Sequence, residues 1–303
     1  MIINFGIRLG KLINYKPRVT RLPEWYFHNK NNSKIARKKV SIITPVYNQS
    51  SYIEQTIKSV LNQKYNSLEY IVIDGGSTDG TIEIIDKYKD HINYFESCRD
   101  EGQSNAINKG MKKANGDILA WINGDDLLLP GAIESIVSYF ELNPDVDVIY
   151  GDRIIISADG LDIGRWVLPN HSDKVLLWVD FIPQESVFWR RRIWEKIGSN
   201  INESFNFALD WEMLLRMLHA GAKFSHLPRF IGAFRVHSEQ KTQTLMATQG
   251  LCEIQKLHRN YLGHIPAKHE ILLAIYPYLI RHFIVDRLSA IKMFFSALVL
   301  LEL

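Results

Sequence analysis

The sequence predicts an α/β fold with a mostly parallel central sheet and helices over both faces, on three observations. Between Val40 and about Tyr150, short β-branched apolar runs alternate with stretches of helical apolar spacing. Each run stops at a polar turn rich in Asp, Asn or Gly, and strand–helix alternation of this kind implies right-handed crossovers. The chain has 303 residues, long enough to bury a sizeable core as one large domain or one domain with an appendage, and its composition is that of an ordinary globular protein.

Val40-Ser41-Ile42-Ile43-Thr44-Pro45-Val46 is short and β-branched, as a buried strand should be, and it ends at Tyr47-Asn48. Ser51-Tyr52-Ile53-Glu54 then reads as a capping box for a helix whose apolar face is Ile53, Ile57, Val60 and Leu61. Leu68 to Ile73 is a second strand, stopping at Asp74-Gly75-Gly76-Ser77-Thr78-Asp79-Gly80 before a helix near Thr81 to Tyr88. Ile92 to Glu96 is a third, leading through Asp100-Glu101-Gly102-Gln103 to a helix that runs to Ala114. Asp117 to Ile122 is the fourth, and it breaks into Asn123-Gly124-Asp125-Asp126. Two adjacent carboxylates at a buried strand's mouth persist beside water or a cation, so this stretch reads equally as a metal site or as a polar turn before Pro130-Gly131.

In parallel sheets ligands bind at the carboxyl ends of the strands, which here carry Tyr47-Asn48, Asp74-Gly75-Gly76, the Asp100 loop and Asp125-Asp126. The Gly-rich turn after Ile73 is neither a dinucleotide fingerprint nor a Walker loop, because its glycine spacing differs and no Lys-Ser/Thr pair follows. Beyond Tyr150, Arg153 to Ser157 and Leu161 to Trp166 flank Ala158-Asp159-Gly160, a hairpin signal. Asp173 to Val179 reads as a short helix, and Phe181-Ile182-Pro183-Gln184-Glu185-Ser186 leads into a strand at Val187 to Trp189. Asp210 stands where a further helix should start, a position that suits an N-cap.

Together, Ser41 to Asn48, Ile73 to Thr81, Asp100-Glu101-Gly102-Gln103 through Asn108-Lys109-Gly110, and Asn123-Gly124-Asp125-Asp126 resemble the GT-A-fold nucleotide-sugar glycosyltransferases of family 2. The resemblance covers residues 38–240 and departs at one point: many members read Asp-x-Asp where this chain has Asn123-Gly124-Asp125. It implies that Pro45, Val46, Tyr47, Asn48, Asp74 and Gly76 line the base and ribose pocket, with Asp74 accepting from the base or sugar. Asp100 and Gln103 would lie near the ribose or diphosphate, beside Asn123 and Gly124. Asp125 would bind a divalent ion that bridges the diphosphate, Mg²⁺ or Mn²⁺, and Asp126 would touch the metal or donor sugar. His237, in Phe234-Arg235-Val236-His237, would complete the metal shell, with Arg235 or Lys241 pairing the diphosphate. Gln184 and Glu185 are expected on the acceptor or donor-sugar side. Asp210, followed by Trp211 and an apolar helix, resembles the family's catalytic-base motif, with Trp211 beside the sugar and Glu212 pointing elsewhere on the same turn.

The implied activity is an inverting, metal-dependent transfer of a sugar, a UDP-hexose by family habit, to a hydroxyl of a glycan or lipid-linked glycan. Two other classes stay open. A nucleotidyltransferase shares the sheet and metal carboxylates, but Pro45-Val46-Tyr47-Asn48 replaces its phosphate-cradling Gly-rich loop. A catalytically inactive nucleotide-sugar or carbohydrate-binding scaffold would follow if Asn123 abolished metal binding.

The expected organisation is a basic amphipathic arm over residues 1–37, a transferase domain over 38–240 divided near 150 into nucleotide-sugar and acceptor halves, and a helical extension over 241–303. From Met1 to Arg21 the chain carries Arg8, Lys11, Lys16, Arg18 and Arg21 without an acid, interleaved with apolar residues. That pattern fits an anionic membrane surface or a docked terminal arm, and no uninterrupted apolar core marks a secretory signal. The net charge of +3 does not point to nucleic acid. Cys98 and Cys252, far apart and in no zinc spacing, favour a reducing cytosol, with the inner face of the plasma membrane as the site of peripheral contact. In the tail, Ile271 to Ile280 and Met293 to Leu301 are separated by charges, which reads as a packed or peripheral helix and not a membrane span.

Overall fold

A computed structural model describes residues 9–22, 26, 38–238, 240 and 246–299. Residues 1–8, most of 23–37, Glu239 and Lys241 lie outside the described residues, and with them much of the basic arm and the proposed diphosphate role of Lys241.

The first half follows the expected alternation: β1 (Val40–Val46), α1 (Ile53–Leu61), β2 (Leu68–Asp74), α2 (Thr81–Asp86), β3 (Tyr94–Ser97), α3 (Gln103–Lys113) and β4 (Ile118–Trp121). β1 pairs in parallel with β2 and β4, and β2 with β3. Strand periodicity divides the apolar side chains between two layers. Ile43, Ile71, Ile73, Leu119 and Trp121 pack with Ala106, Ile107 and Met111 of α3, whereas Val40, Ile42, Val72, Ile118 and Ala120 pack on the other face with Ile53, Ile57 and Val60 of α1. Burying each such side chain contributes roughly 1.5–3 kcal/mol, so a register slip that exchanged the faces is strongly disfavoured. α3 lies close to β1 because residue 110 is Gly; a Cβ there would stand 2.6 Å from Ile43 Cγ2.

The second half departs from a mostly parallel sheet. β5 (Leu127–Leu128), α4 (Ala132–Leu142), β6 (Val148–Ser157), β7 (Asp162–Trp166), α5 (Asp173–Leu176), β8 (Phe188–Arg190), α6 (Arg191–Lys196), α7 (Leu209–His219) and β9 (Phe224–Val236) complete a nine-stranded mixed sheet. Its order is β3-β2-β1-β4-β8-β6-β9-β5, with β7 on β6 through the Ala158-Asp159-Gly160 turn. β8 runs antiparallel to both β4 and β6, so the parallel block ends at β4. β6 and β9 are parallel again over almost their whole length, joined by a long excursion through β7, β8 and α7. Then α8 (Leu251–Leu262) and α9 (Lys268–Val299) form the helical extension.

The capping box is not formed. Tyr52 is the residue before α1, no side chain caps it, and Gln49 O accepts from Tyr52 N and Ile53 N at 2.9 Å each. The backbone turn after Asn48 therefore supplies the partners that Ser51 was expected to provide.

Candidate active site

The loops at the carboxyl ends of β1, β2 and β4 are tied into one rim. Asn48 takes a left-handed conformation (φ 49°), which lets its N–H reach Ser77 Oγ at 2.8 Å while its Oδ1 accepts from Thr78 N at 2.9 Å. Asp74 is fully buried; its carboxylate accepts from Gly76 N and Ser77 N at 2.9 Å, from Ser97 Oγ at 2.7 Å and from Ser77 Oγ at 2.5 Å. That carboxylate organises the turn, and the expectation that it reaches a base or sugar gives way to this internal role. Pro45 and Val46 are likewise buried strand residues, whereas Tyr47 is 59% exposed at the rim. The Asp100 carboxylate lies against Gly75 and accepts from Gly102 N at 2.8 Å. Gly76 (φ 83°) sits tightly over the Arg99 backbone.

After β4, Asn123 to Asp126 turn over Thr56, whose hydroxyl is within hydrogen-bond reach of the carbonyls of Gly124 and Asp126 at 2.9 and 2.8 Å. Gly124 packs on Val46, where a Cβ would come within 2.9 Å of Val46 Cγ2. Asn123 is held by amides from both halves of the sheet: Gln103 Nε2 donates to its Oδ1 at 2.7 Å, and its Nδ2 faces Gln184 Oε1 and Asp126 Oδ2 at 3.2 Å. Gln184 also donates to Trp121 O. The neutral side chain at 123 thus bridges loops and leaves the charge to its neighbours.

The two aspartates face differently. Asp125 is half-buried and its Oδ2 lies 2.9 Å from His237 Nε2, whose ring rests on Tyr52. Asp126 is buried, with Oδ1 accepting from Arg235 N at 3.0 Å. Burial, and then the negative charges of Asp125 and Glu185, hold its carboxyl well above the usual carboxylate range. Asp125 and His237 therefore form the candidate metal pair, and Asp126 supports the turn from below. Among the described residues no group of three or more His, Cys, Asp or Glu side chains is arranged to hold an ion. The donor set of one carboxylate and one imidazole fits a divalent ion that takes its other ligands from a bound diphosphate.

Arg235 is not a diphosphate ligand in this geometry. It is fully buried, giving hydrogen bonds to Asp125 O, Ala158 O and Gln55 Oε1, and it staples the hairpin turn to the Asn123–Asp126 loop.

Beneath the rim lies a buried ion pair. Arg153 donates to both Glu185 oxygens at 2.7 and 2.6 Å, and its guanidinium lies over the Trp166 and Phe234 rings. Burial works against the guanidinium, but Glu185, Asp126 and Asp180 outweigh it and hold the Arg153 pKa above its usual value. Glu185 is fully buried and saturated by Arg153, so it is a supporting residue and not a sugar contact.

Asp210 is the second residue of α7 and not its N-cap; its Oδ1 accepts from Trp211 N at 2.9 Å. The loop before the helix is held by Glu253 of α8, a buried carboxylate that accepts from the backbone N–H groups of Asn206, Phe207 and Ala208 at 2.9 Å. Burial raises the Asp210 pKa above the usual range against the lowering effect of the backbone donors. Asp180 is accessible to solvent, yet crowding of its carboxyl by protein and then the charge of Asp210 hold it well above that range. Asp180 thus feels the charge of Asp210, and Arg153 is the cation that lowers the pKa of both carboxyls.

Against this geometry, a family model described as glycosyl transferase family 2 matches residues 41–238, more than half of the chain. The chain belongs to that family. It is 29% identical over 254 residues to an uncharacterized glycosyltransferase of Rickettsia typhi, covering 77% of this chain and 74% of that protein. A Haemophilus influenzae relative of the same description is 29% identical over 216 residues, 66% of each. The chain spans only 41% of a longer Rickettsia felis glycosyltransferase. Among solved structures, residues 1–349 of S. aureus TarS in complex with UDP-GlcNAc superpose with a TM-score of 0.61 at 17% identity, over 81% of this chain and 72% of that one. The mannosyltransferase PcManGT from Pyrobaculum calidifontis, in complex with GDP-Man and Mn²⁺, superposes at 0.58 with 16% identity, over 93% of this chain and 76% of that one. These likenesses show the GT-A fold.

Within this family 2 glycosyltransferase, Trp211 does not face the cleft. Its indole is buried in the core against His258 and donates to Leu176 O at 2.8 Å. The apolar spacing of Trp211, Leu214, Leu215 and Leu218 on α7 is the sequence signal that could have placed it inward. Glu212 pairs with Arg216 at 2.9 Å, a structural role that matches its secondary ranking. Sequence reasoning missed Asp180, Arg153 as the buried cation, and Glu253. Arg153 alone carried a signal, a charge beside Asp152 within an otherwise apolar, Ile-rich strand.

Proposed function

We propose that this glycosyltransferase moves a sugar from a nucleoside-diphosphate donor, a UDP-hexose, to a hydroxyl of a glycan or lipid-linked glycan, with inversion at the anomeric carbon and Asp210 as general base. One observation carries the reading: a carboxylate with a raised pKa, fixed at the start of α7 by a Glu253-held loop, shares its charged neighbours with the loop that bears the Asp125–His237 pair. A base poised above the ordinary carboxylate value accepts a hydroxyl proton more readily near neutral pH. As the acceptor oxygen attacks the anomeric carbon, its proton passes to Asp210, and a single in-line displacement inverts the centre.

Asp125 and His237 would hold the divalent ion. The imidazole among the donors favours Mn²⁺ over Mg²⁺, and PcManGT in complex with GDP-Man and Mn²⁺ supports that choice. When bound, the ion supplies charge neutralisation for the departing diphosphate. Asn123 keeps the loop closed through its amide partners without adding a third repelling charge beside Asp125 and Asp126.

A panel of UDP-glucose, UDP-GlcNAc and GDP-mannose, each with Mn²⁺ or Mg²⁺ and a polyprenyl-linked acceptor, tests this by mass spectrometry of released nucleotide. Asp210→Asn should lose about 10²- to 10⁴-fold in turnover with donor binding kept, and His237→Ala should raise the Mn²⁺ concentration needed. A folded protein that binds none of these donors with Mn²⁺ would refute the assignment.

A further inference from the structure

One side of the long helix α9 covers none of the described residues. Leu273, Ile280, Ile284 and Ile291 recur on one line at helical spacing with Tyr276 and Leu288 beside them, and all six are exposed, Leu273 to 74%. The opposite side is docked. Tyr278 packs on Phe181 with ring centroids 4.7 Å apart, and His282 bonds Val167 O through Nδ1 while its Nε2 accepts from Leu9 N. The stripe is therefore not an unfinished core contact.

Between residues 271 and 291 the exposed charges have one sign. Arg281 and Arg287 flank the stripe and are exposed, whereas Asp286, the sole acid between residues 271 and 291, is buried at 3% exposure. The segment that Leu9 ties to the docked side of this helix runs along β7, where Arg18 pairs with Asp162 at 3.6 Å. Among the described residues no helix is long and apolar enough to cross a membrane. A second copy seated along the stripe would bring Arg281 and Arg287 toward their own counterparts with no exposed acid between residues 271 and 291 to pair them. An anionic surface answers both the apolar line and the cationic rim.

We infer that the outer face of α9 docks in the plane of an anionic lipid bilayer. The Phe181–Tyr278 contact sets the loop that carries Asp180 and Gln184 directly on the docked helix, so the acceptor side of the cleft is held near the lipid surface. The inference rests on the lipid-linked acceptor reading above for its purpose and on the helix for its geometry.

Co-sedimentation with vesicles of phosphatidylcholine plus phosphatidylglycerol, and of phosphatidylcholine alone, tests it at low and high salt. The wild-type protein should bind the anionic vesicles and be released by salt. Ile280→Glu/Ile284→Glu should lower partitioning by about tenfold or more, and Arg281→Glu/Arg287→Glu should abolish the anionic preference. Circular dichroism and donor affinity in vesicle-free solution should stay unchanged in both variants. Equal binding by the stripe variant, no binding to anionic vesicles, or a wild-type dimer in light scattering that the stripe variant splits would each overturn the docking. Vesicle binding without donor turnover leaves the docking standing and sinks the proposed activity; turnover without vesicle binding does the reverse.

Discussion

Replacing Arg153 with Met removes the one cation shared by the cleft carboxyls while keeping a side chain that can fill the space between Trp166 and Phe234. Glu185 is then buried with no partner for either oxygen. Breaking a buried ion pair from one side costs about 3–5 kcal/mol. At about 2–3 °C per kcal/mol for a chain of this size, Tm should fall by roughly 6–15 °C. The double variant Arg153→Met/Glu185→Leu removes both charges and should recover most of that loss, because an apolar replacement of the whole pair avoids the stranded carboxylate. Differential scanning calorimetry of the wild type, both single variants and the double variant closes the cycle. The same change should move the acid limb of kcat toward alkaline pH, since Arg153 lowers the pKa of Asp210 and Asp180. A coupling energy below about 1 kcal/mol would refute the view that this pair supports the cleft.

Two further outcomes follow from the same geometry. Asp126, Asp180 and Asp210 all have raised pKa values, so the native state binds more protons than the unfolded chain above the ordinary carboxylate pKa, and stability falls as pH rises through the native values. Asp180→Asn should flatten that decline and move the acid limb of the kcat profile to lower pH, read from chemical melts and initial rates across pH; an unmoved limb would separate Asp180 from Asp210. Gly232→Ala would place a Cβ 2.5 Å from Glu185 Cγ and 2.8 Å from Glu185 O, so it should cost about 1–3 kcal/mol in urea melts; wild-type stability would show that Glu185 can move freely.

The parallel block was legible because local pattern and tertiary role coincide there: Ile42 and Ile43 alternate between two cores, and a period of two is visible in a single strand. The mixed second half was less so, because β8 and β9 take partners far along the chain that no local signal names. At the site, Asp125-Asp126 stood out as a pair, yet which one opens to the cleft depends on Arg235 N, 109 residues from Asp126. Ser51 and Asp210 both looked like caps; at the first the Gln49 carbonyl takes the N–H groups, and at the second Asp210 lies inside the helix while Glu253 holds the loop before it. Trp211 was misplaced because adjacency to Asp210 outweighed the helical period that turns it inward.

The long span between Asp125 and His237, 112 residues, has a consequence for how the chain is made. As synthesis proceeds, β1 to β4 can pair among themselves soon after they emerge, but the Asn123–Asp126 loop waits for β9 to add to the far side of the sheet. Such non-local pairing is slow, since the loop entropy is lost before contacts repay it. Until Phe224–Val236 arrives, β6 presents a long, Ile-rich edge to its surroundings. Nascent or truncated chains ending before that strand would therefore be the aggregation-prone species of this protein, and completion of the Asp125–His237 contact coincides with closure of its most hazardous edge.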